Sequence, residues 1–345
     1  MVLPFKRTDA DVASTYALYG KLPNRADFLR VNANHPLVTE LDALVQCGLE
    51  RFNNVPGWLA QYDAGTPVEI QYVSRDAKHV FTGVIAPSAD QAGRRYPLIA
   101  GLILPREGIQ PNLHTTPIAY EVFFDGLRDH VATALEHSVE ALSCIQFLES
   151  QVQSRDTVVA DLELAQRVVD LHMRNTTIRR LRELLAEGNV WGGLEQMLLN
   201  LLFYRTFLRR FGNPSSNLAL LFPLPSQCGE QALIASTWVS LLTALGQEGD
   251  GGWRGNYFIL RQQGHVLLAA CFSTMHDRIA ALMLGCPADS TVLLDLEKQQ
   301  DAWKGNQLYA EVSYALDRLL ADPSLSLAAL RDFLADAGCQ LGKGG

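Results

Sequence analysis

Ser88 and Asp90 stand two residues apart in SADQAGRRYPL (88–98), with His79 a short way upstream, and Gly20-Lys21 opens GKLPNRADFLR (20–30). These are the residues whose types could do chemistry. A serine with an acid and a histidine is the raw material of a hydrolase or a phosphatase-like enzyme. That chemistry needs the base within hydrogen-bond reach of the hydroxyl, and no GxSxG elbow presents Ser88. Two positions apart at a strand end, Ser88 and Asp90 cannot act as nucleophile and base without the histidine. Gly20-Lys21 fails as a phosphate loop: no glycine opens the motif, and Leu22-Pro23 stand where Ser or Thr should follow the lysine. Pro23 also has no amide hydrogen to offer an anion. The structural reading of the same residues is that Ser88 and Asp90 cap a turn and Gly93 supplies an unusual backbone angle. Arg94 or Arg95 then reaches back to Asp90 or Asp27.

Metal and cofactor chemistry find no signature. The eight histidines form no HExxH, and the six cysteines (Cys47, Cys144, Cys228, Cys271, Cys286, Cys339) form no CxxC. Each cysteine reads as a buried apolar thiol, and His265, on an apolar strand, as a core or edge histidine. The pairs Asp125/Asp129 and Glu136/Glu140 sit at helical spacing on solvated faces. A net charge of −8 in 345 residues argues against nucleic acid or an anionic membrane as the main partner. The apolar runs LIAGLIL (98–104) and VLLAACF (266–272) are far short of the roughly twenty residues a membrane span needs. MVLPFKRTDADV lacks the apolar core of a secretory signal, so a reduced, cytoplasmic protein is expected.

The elements that must position these residues alternate in type. YALYGKLP (16–23) reads as a strand stopped by Gly20 and Pro23. His35-Pro36 opens a helix whose apolar face is Leu37, Leu41, Leu44, Val45, Leu49 and Phe52. VEIQYV (68–73) alternates like a half-buried strand, while VFTGVIA (80–86) and PLIAGLIL (97–104) read as central strands. The close spacing of these strands leaves no room for a crossover helix, which predicts antiparallel hairpins. Residues 106–116 read as a polar loop and 117–150 as one long helical stretch with a stripe of Phe124, Leu127, Val131, Leu135 and Leu142.

Residues 157–210 are helical, with Gly188 as a C-cap, and carry Arg174, Arg179, Arg180, Arg182, Arg205, Arg209 and Arg210. The arginines read as a solvated helix face, with an acidic or phosphorylated partner as the alternative. GNPSSN (212–217) is a boundary. Beyond it come a strand at 218–225, a helix with Ile234, Trp238, Leu241, Leu242 and Leu245, and a hairpin over 257–272 turning at Gln263-Gly264. A helix at 275–284 has Thr274 and Asp277 placed as a capping box, with Gly285 and Pro287 at its end. A strand at 291–296 and two helices close the chain. Each half runs strand into LP, helix, hairpin, but no longer identity supports a duplication.

The two polar blocks resemble those of the TagF (ImpM) family, associated with bacterial type VI secretion. GKLPNRADFLR is similar to a GKLPxxGDF opening, and PSADQAGRRYPL (87–98) to a PSxDxxGRxxPL block. The resemblance is close over 16–105 and thin over 218–320, where FPLP (222–225), Trp238 and Trp253 carry it. Gly20, Lys21, Leu22, Pro23, Asp27 and Phe28 match, as do Pro87, Ser88, Asp90, Gly93, Arg94, Pro97 and Leu98. Ala26 departs, standing where the family has Gly, and would be strained if that position required a positive φ. The metal-dependent phosphatase domain fused to some members has no counterpart in this chain.

The resemblance implies a non-catalytic regulator that holds secretion inactive after translation and engages a forkhead-associated scaffold protein. A hydrolase centred on Ser88 and Asp90, and a structural component of the apparatus, remain the alternatives. The expected fold is α+β: an N-terminal, mostly antiparallel sheet flanked by helices (1–150), a helical segment (151–212) and a C-terminal α/β region (213–340). The residues placed at the partner surface or in its frame are Gly20, Lys21, Pro23, Asp27, Phe28, Ser88, Asp90, Gly93, Arg94, Arg95 and Pro97. Lys21 and Arg95 are expected to make the contact, and Pro23, Pro97 and Leu98 to serve the fold.

Overall fold

A computed structural model describes residues 14–137, 141–186, 193–211, 219–245, 253–262, 264–272, 275–287, 293–298 and 303–343. The chain begins β1 (Thr15–Gly20), β2 (Leu29–Val31), α1 (Pro36–Phe52), α2 (Trp58–Asp63), β3 (Val68–Val73), β4 (His79–Ala86) and β5 (Leu98–Pro105). Helices follow: α3 (Arg106–Ile109), α4 (Thr116–Ala119), α5 (Glu121–Glu136), α6 (Ala141–Ser150), α7 (Arg155–Asn175), α8 (Ile178–Ala186) and α9 (Leu194–Phe211). Next come β6 (Ala219–Leu224), α10 (Cys228–Ala244), β7 (Asn256–Gln262), β8 (His265–Cys271) and α11 (Asp277–Met283). The end is β9 (Leu293–Asp295), α12 (Gln307–Leu320) and α13 (Leu327–Lys343). The protein is α+β. Its described residues fall into two compact units whose limits cross the sequence segments 1–150, 151–212 and 213–340.

Unit one takes the described residues of Met1–Asn112, Ala119–Leu164 and Met275–Pro287. Its strands lie in the order β2-β1-β5-β4-β3, antiparallel throughout. β4 and β5 are buried on both faces, as their unbroken apolar runs require. β3 differs from its alternating pattern, because all six residues are buried. Arg128 of α5 reaches Glu69 in an ion pair, so a helix covers the face that alternation assigned to water. β2 has no signal in the sequence; it forms because Leu18, Tyr19 and Gly20 pair with Val31, Arg30 and Leu29.

α1 starts where Pro36 fixes φ and His35 caps: its Nδ1 accepts the Leu37 amide at 3.2 Å. Burial, then the neighbouring His79 ring, holds the His35 imidazole below its ordinary range, which favours the unprotonated acceptor. α11 packs tightly on α1. A Cβ at Gly48 would lie 2.5 Å from the Ala280 Cβ and 2.9 Å from the Ala281 amide nitrogen. Arg51 pairs with Asp277 at 2.9 Å across the same contact. Gly48→Val should therefore destabilise unit one by about 2 kcal/mol through overpacking, read as a lower urea midpoint. An unchanged midpoint would mean the two helices do not touch there.

Unit two takes the described residues of Leu113–Ile118, Ala165–Thr274 and Ala288–Gly345. Its strands run β7-β8-β6-β9, with β6–β9 parallel and the rest antiparallel. Trp238 anchors α10 to β6. Its indole N–H donates to the Pro223 carbonyl at 2.8 Å and its ring stacks on Phe222.

Several expectations change. Residues 106–116 are mostly short helical turns rather than a loop, because Arg106, Ile109 and Leu113 are buried. The stretch 117–150 is broken between α5 and α6; Leu142 is 60% exposed, and Phe123 and Ala134 take buried places on α5. The helix at 275–284 is capped by His276, whose Nδ1 accepts the Arg278 amide; Thr274 lies outside the described residues. Cys144 and Cys271 are buried, but Cys47, Cys228 and Cys339 are exposed and Cys286 is half-buried. His265 is exposed at the start of β8. Arg205 is buried over the Phe272 ring rather than on a solvated face. Gly188, the 212–217 boundary and Gln263 lie outside the described residues, as do the side chains of Arg209 and Arg210.

Candidate functional site

The second polar block folds as a tight hairpin between β4 and β5. Gly93 N–H donates to the Asp90 carbonyl at 2.8 Å and Asp90 N–H to the Arg94 carbonyl at 3.1 Å. Gly93 sits at φ +76°, which lets the turn close. Ala89 and Arg95 bridge below it, and Tyr96 N–H reaches the Ser88 carbonyl.

The Asp90 side chain, fully enclosed, organises this turn and ties it to the first block. Its Oδ1 accepts the amides of Ala92 at 3.1 Å and Arg94 at 2.8 Å. Its Oδ2 receives Arg94 Nε at 2.7 Å and Lys21 Nζ at 3.0 Å. Burial alone would raise the Asp90 pKa. The Arg94 amide, Lys21 and the Arg94 guanidinium outweigh it and hold the carboxyl at about 2.

The first block leaves β1 at Gly20 and turns at Pro23, where Arg25 N–H donates to the Leu22 carbonyl. Four further bonds stitch the blocks together. Ser88 Oγ donates to the Lys21 carbonyl at 2.7 Å, and Lys21 Nζ to the Arg94 carbonyl at 3.2 Å. Gln91 N–H donates to the Arg25 carbonyl at 3.0 Å, and Arg94 Nη2 to the Ala26 carbonyl at 3.0 Å. Gly20 permits the approach: at φ +127°, a Cβ there would lie 2.1 Å from the Pro97 carbonyl oxygen. Ala26 carries no strain, because Asn32 and Ala77 are the non-glycine residues at positive φ among those described.

The structure therefore brings Gly20, Lys21, Ser88, Asp90, Gly93, Arg94 and Pro97 into one braced corner. Lys21, with 14% of its side chain exposed, is part of the brace rather than a free contact. Arg95 pairs with neither Asp27 nor Asp90; it makes a two-point bond to Asp63 of α2, at 3.2 and 2.7 Å. Asp27 is exposed and stands apart from the Asp90 pair. Phe28 meets Tyr96 edge-on at 4.9 Å, and Pro23 is exposed while Pro97 is buried.

Sequence reasoning missed Tyr62 and Asp63, because α2 carries no strong helical pattern after Trp58. Buried Tyr62 accepts the Ser88 amide and donates to the Ser88 carbonyl, each at 3.1 Å. Tyr62→Phe should cost unit one about 1–2 kcal/mol by orphaning those groups, visible as a lower thermal midpoint. It also missed Asp42, which accepts from the Tyr96 hydroxyl. Arg25 and Arg30 belong to the first block. Both are exposed, as is 65% of the Arg94 side chain. Around the corner, arginine and lysine outnumber carboxylates on a chain of net charge −8.

Chemically, this arrangement fixes a shape. The Ser88 hydroxyl is engaged by the Lys21 carbonyl, and the His79 ring lies against His35 at 4.7 Å. The class defined by fold and site is an α+β scaffold presenting a rigid, positively charged loop pair. Residues 17–151 match the family model described as TagF N-terminal domain, Type VI secretion system-associated. Over that span the chain carries a TagF N-terminal domain, the domain of a type VI secretion-associated family. No curated protein matches the chain. It is similar to a solved structure, that of PA0076 from Pseudomonas aeruginosa PAO1, at 20% identity over 44% of this chain and 78% of that one. The TM-score is 0.32. Among the described residues no helix is long and apolar enough to cross a membrane.

Proposed function

We propose that this protein is a non-catalytic, cytoplasmic regulator that represses type VI secretion after translation by binding another protein of the system, with a forkhead-associated scaffold as the partner. The observation that carries this reading is the braced corner itself. Each chemically capable group in it (Ser88, Lys21, Asp90) is spent on holding the two loops. What faces outward is Arg25, Arg30, Arg94 and Asp27, a charged surface of fixed shape. A preformed surface avoids ordering loops on binding, which is how docking gains affinity.

The test is secretion from cells lacking the chain. A repressor's removal raises secretion and its overproduction lowers it. Removal of a structural component would abolish secretion instead, and that outcome would overturn the proposal.

A further inference from the structure

α12 and α13 follow one another through a short connection, and each has its own seat. Tyr309 of α12 meets Phe203 of α9 edge-on at 5.5 Å, while Gly338 of α13 lies close against Leu245, just past α10. Seated this way, the two helices leave a groove of about 250 Å³ between them. Val312 and Ala315 line it from α12, with Phe333 and Ala337 from α13. Leu308, at the groove's end, is 37% exposed, so the apolar wall is open to water. Glu311 and Asp336 stand on the rim, both exposed, and no cation is among the lining residues.

These features select the occupant. The volume is below the roughly 300–1,000 Å³ of a small-molecule site. An acidic rim repels nucleic acid phosphates and anionic lipid headgroups. Apolar positions one helical turn apart, over alanines that leave room, match the anchors of a docked helix. The geometry points to a docking groove for an amphipathic basic helix of a partner protein. Two bulky aliphatic side chains one turn apart enter over Ala315 and Ala337, and flanking Lys or Arg meet Glu311 and Asp336.

Fluorescence anisotropy on the full chain tests this, using two synthetic helical peptides. Both carry leucines at i and i+4; one has flanking lysines and the other glutamates in their place. The lysine peptide should bind saturably, and the glutamate peptide about tenfold or more weaker. Ala315→Trp, at an exposed position, fills the groove and should weaken the lysine peptide by about tenfold. Glu311→Lys with Asp336→Lys should invert the preference. Equal binding of the two peptides, saturable binding of neither, or unchanged affinity in a folded Ala315→Trp variant would each overturn the proposal. So would self-association of the wild type that Ala315→Trp abolishes, because the groove would then serve a second copy.

Discussion

Gly20→Ala should destabilise unit one by about 3 kcal/mol, through left-handed strain of about 1–2 kcal/mol and overlap with backbone on the neighbouring strand. The added methyl would sit 2.1 Å from the Pro97 carbonyl oxygen and 2.9 Å from the Leu98 Cα, and neither backbone atom can rotate aside. β1 and β5 pair through Tyr19 and Ile99 immediately beside this contact, so relief requires parting two strands. Gly93→Ala is the control. Gly93 also has positive φ, but the nearest atom to its added methyl is the flexible Arg95 Nη1 at 3.6 Å. It should cost only about 1 kcal/mol, from backbone strain alone. Chemical denaturation followed by tryptophan fluorescence would rank the two. Equal losses would show that the close approach at Gly20 does not matter.

Asp90→Asn should have the second large effect, and it should appear in two ways. The variant keeps the shape but removes the charge that Lys21 and Arg94 share, leaving a largely enclosed lysine without its anion. The two blocks should loosen together, and trypsin should cut after Arg25 and Arg94 about tenfold faster than in wild type. The second sign is pH dependence. The folded Asp90 carboxyl is held at about 2, below its ordinary 3.8, so the unfolded chain takes up the proton more readily. The contribution of Asp90 is therefore complete above about pH 4 and is lost as pH falls through 2. Asp90→Asn should flatten that part of the stability curve. A wild-type and a variant curve that fall in parallel below pH 4 would contradict the assignment.

Much of this corner is written locally. A carboxylate four residues before an arginine, with glycine between them, closes on itself, so the pairing of Asp90 with Arg94 follows from the turn. The antiparallel order of β3, β4 and β5 follows from spacing too short for a crossover. What local sequence does not contain is the choice of distant partner. Arg95 meets Asp63 because α2 happens to pass beneath the hairpin, and α2 is only six residues long. A lysine in a polar block reads as a surface cation, but the buried Asp90 draws Lys21 inward. The charge of its neighbours places Arg205 in water, but an aromatic face receives it. Leu29–Val31 became a strand through its pairing with β1, not through its own propensity. Three cysteines are exposed because helix position, rather than residue type, sets their side of the fold.

The exposed arginines now define the sharpest probe. Reversing Lys21 or Arg95 would break the Asp90 or Asp63 bonds and confuse folding with binding. Arg25 and Arg30 are exposed and belong to neither the Asp90 nor the Asp63 pair, so Arg25→Glu with Arg30→Glu leaves both ion-pair braces intact and gives up only the Arg30 contact over the Phe28 ring. The decisive measurement is recovery of the forkhead-associated scaffold when the wild-type chain and this double variant are each isolated from cells producing them equally. A docking surface at this corner predicts that the scaffold accompanies the wild type and is lost from the variant. Equal recovery with both would contradict it.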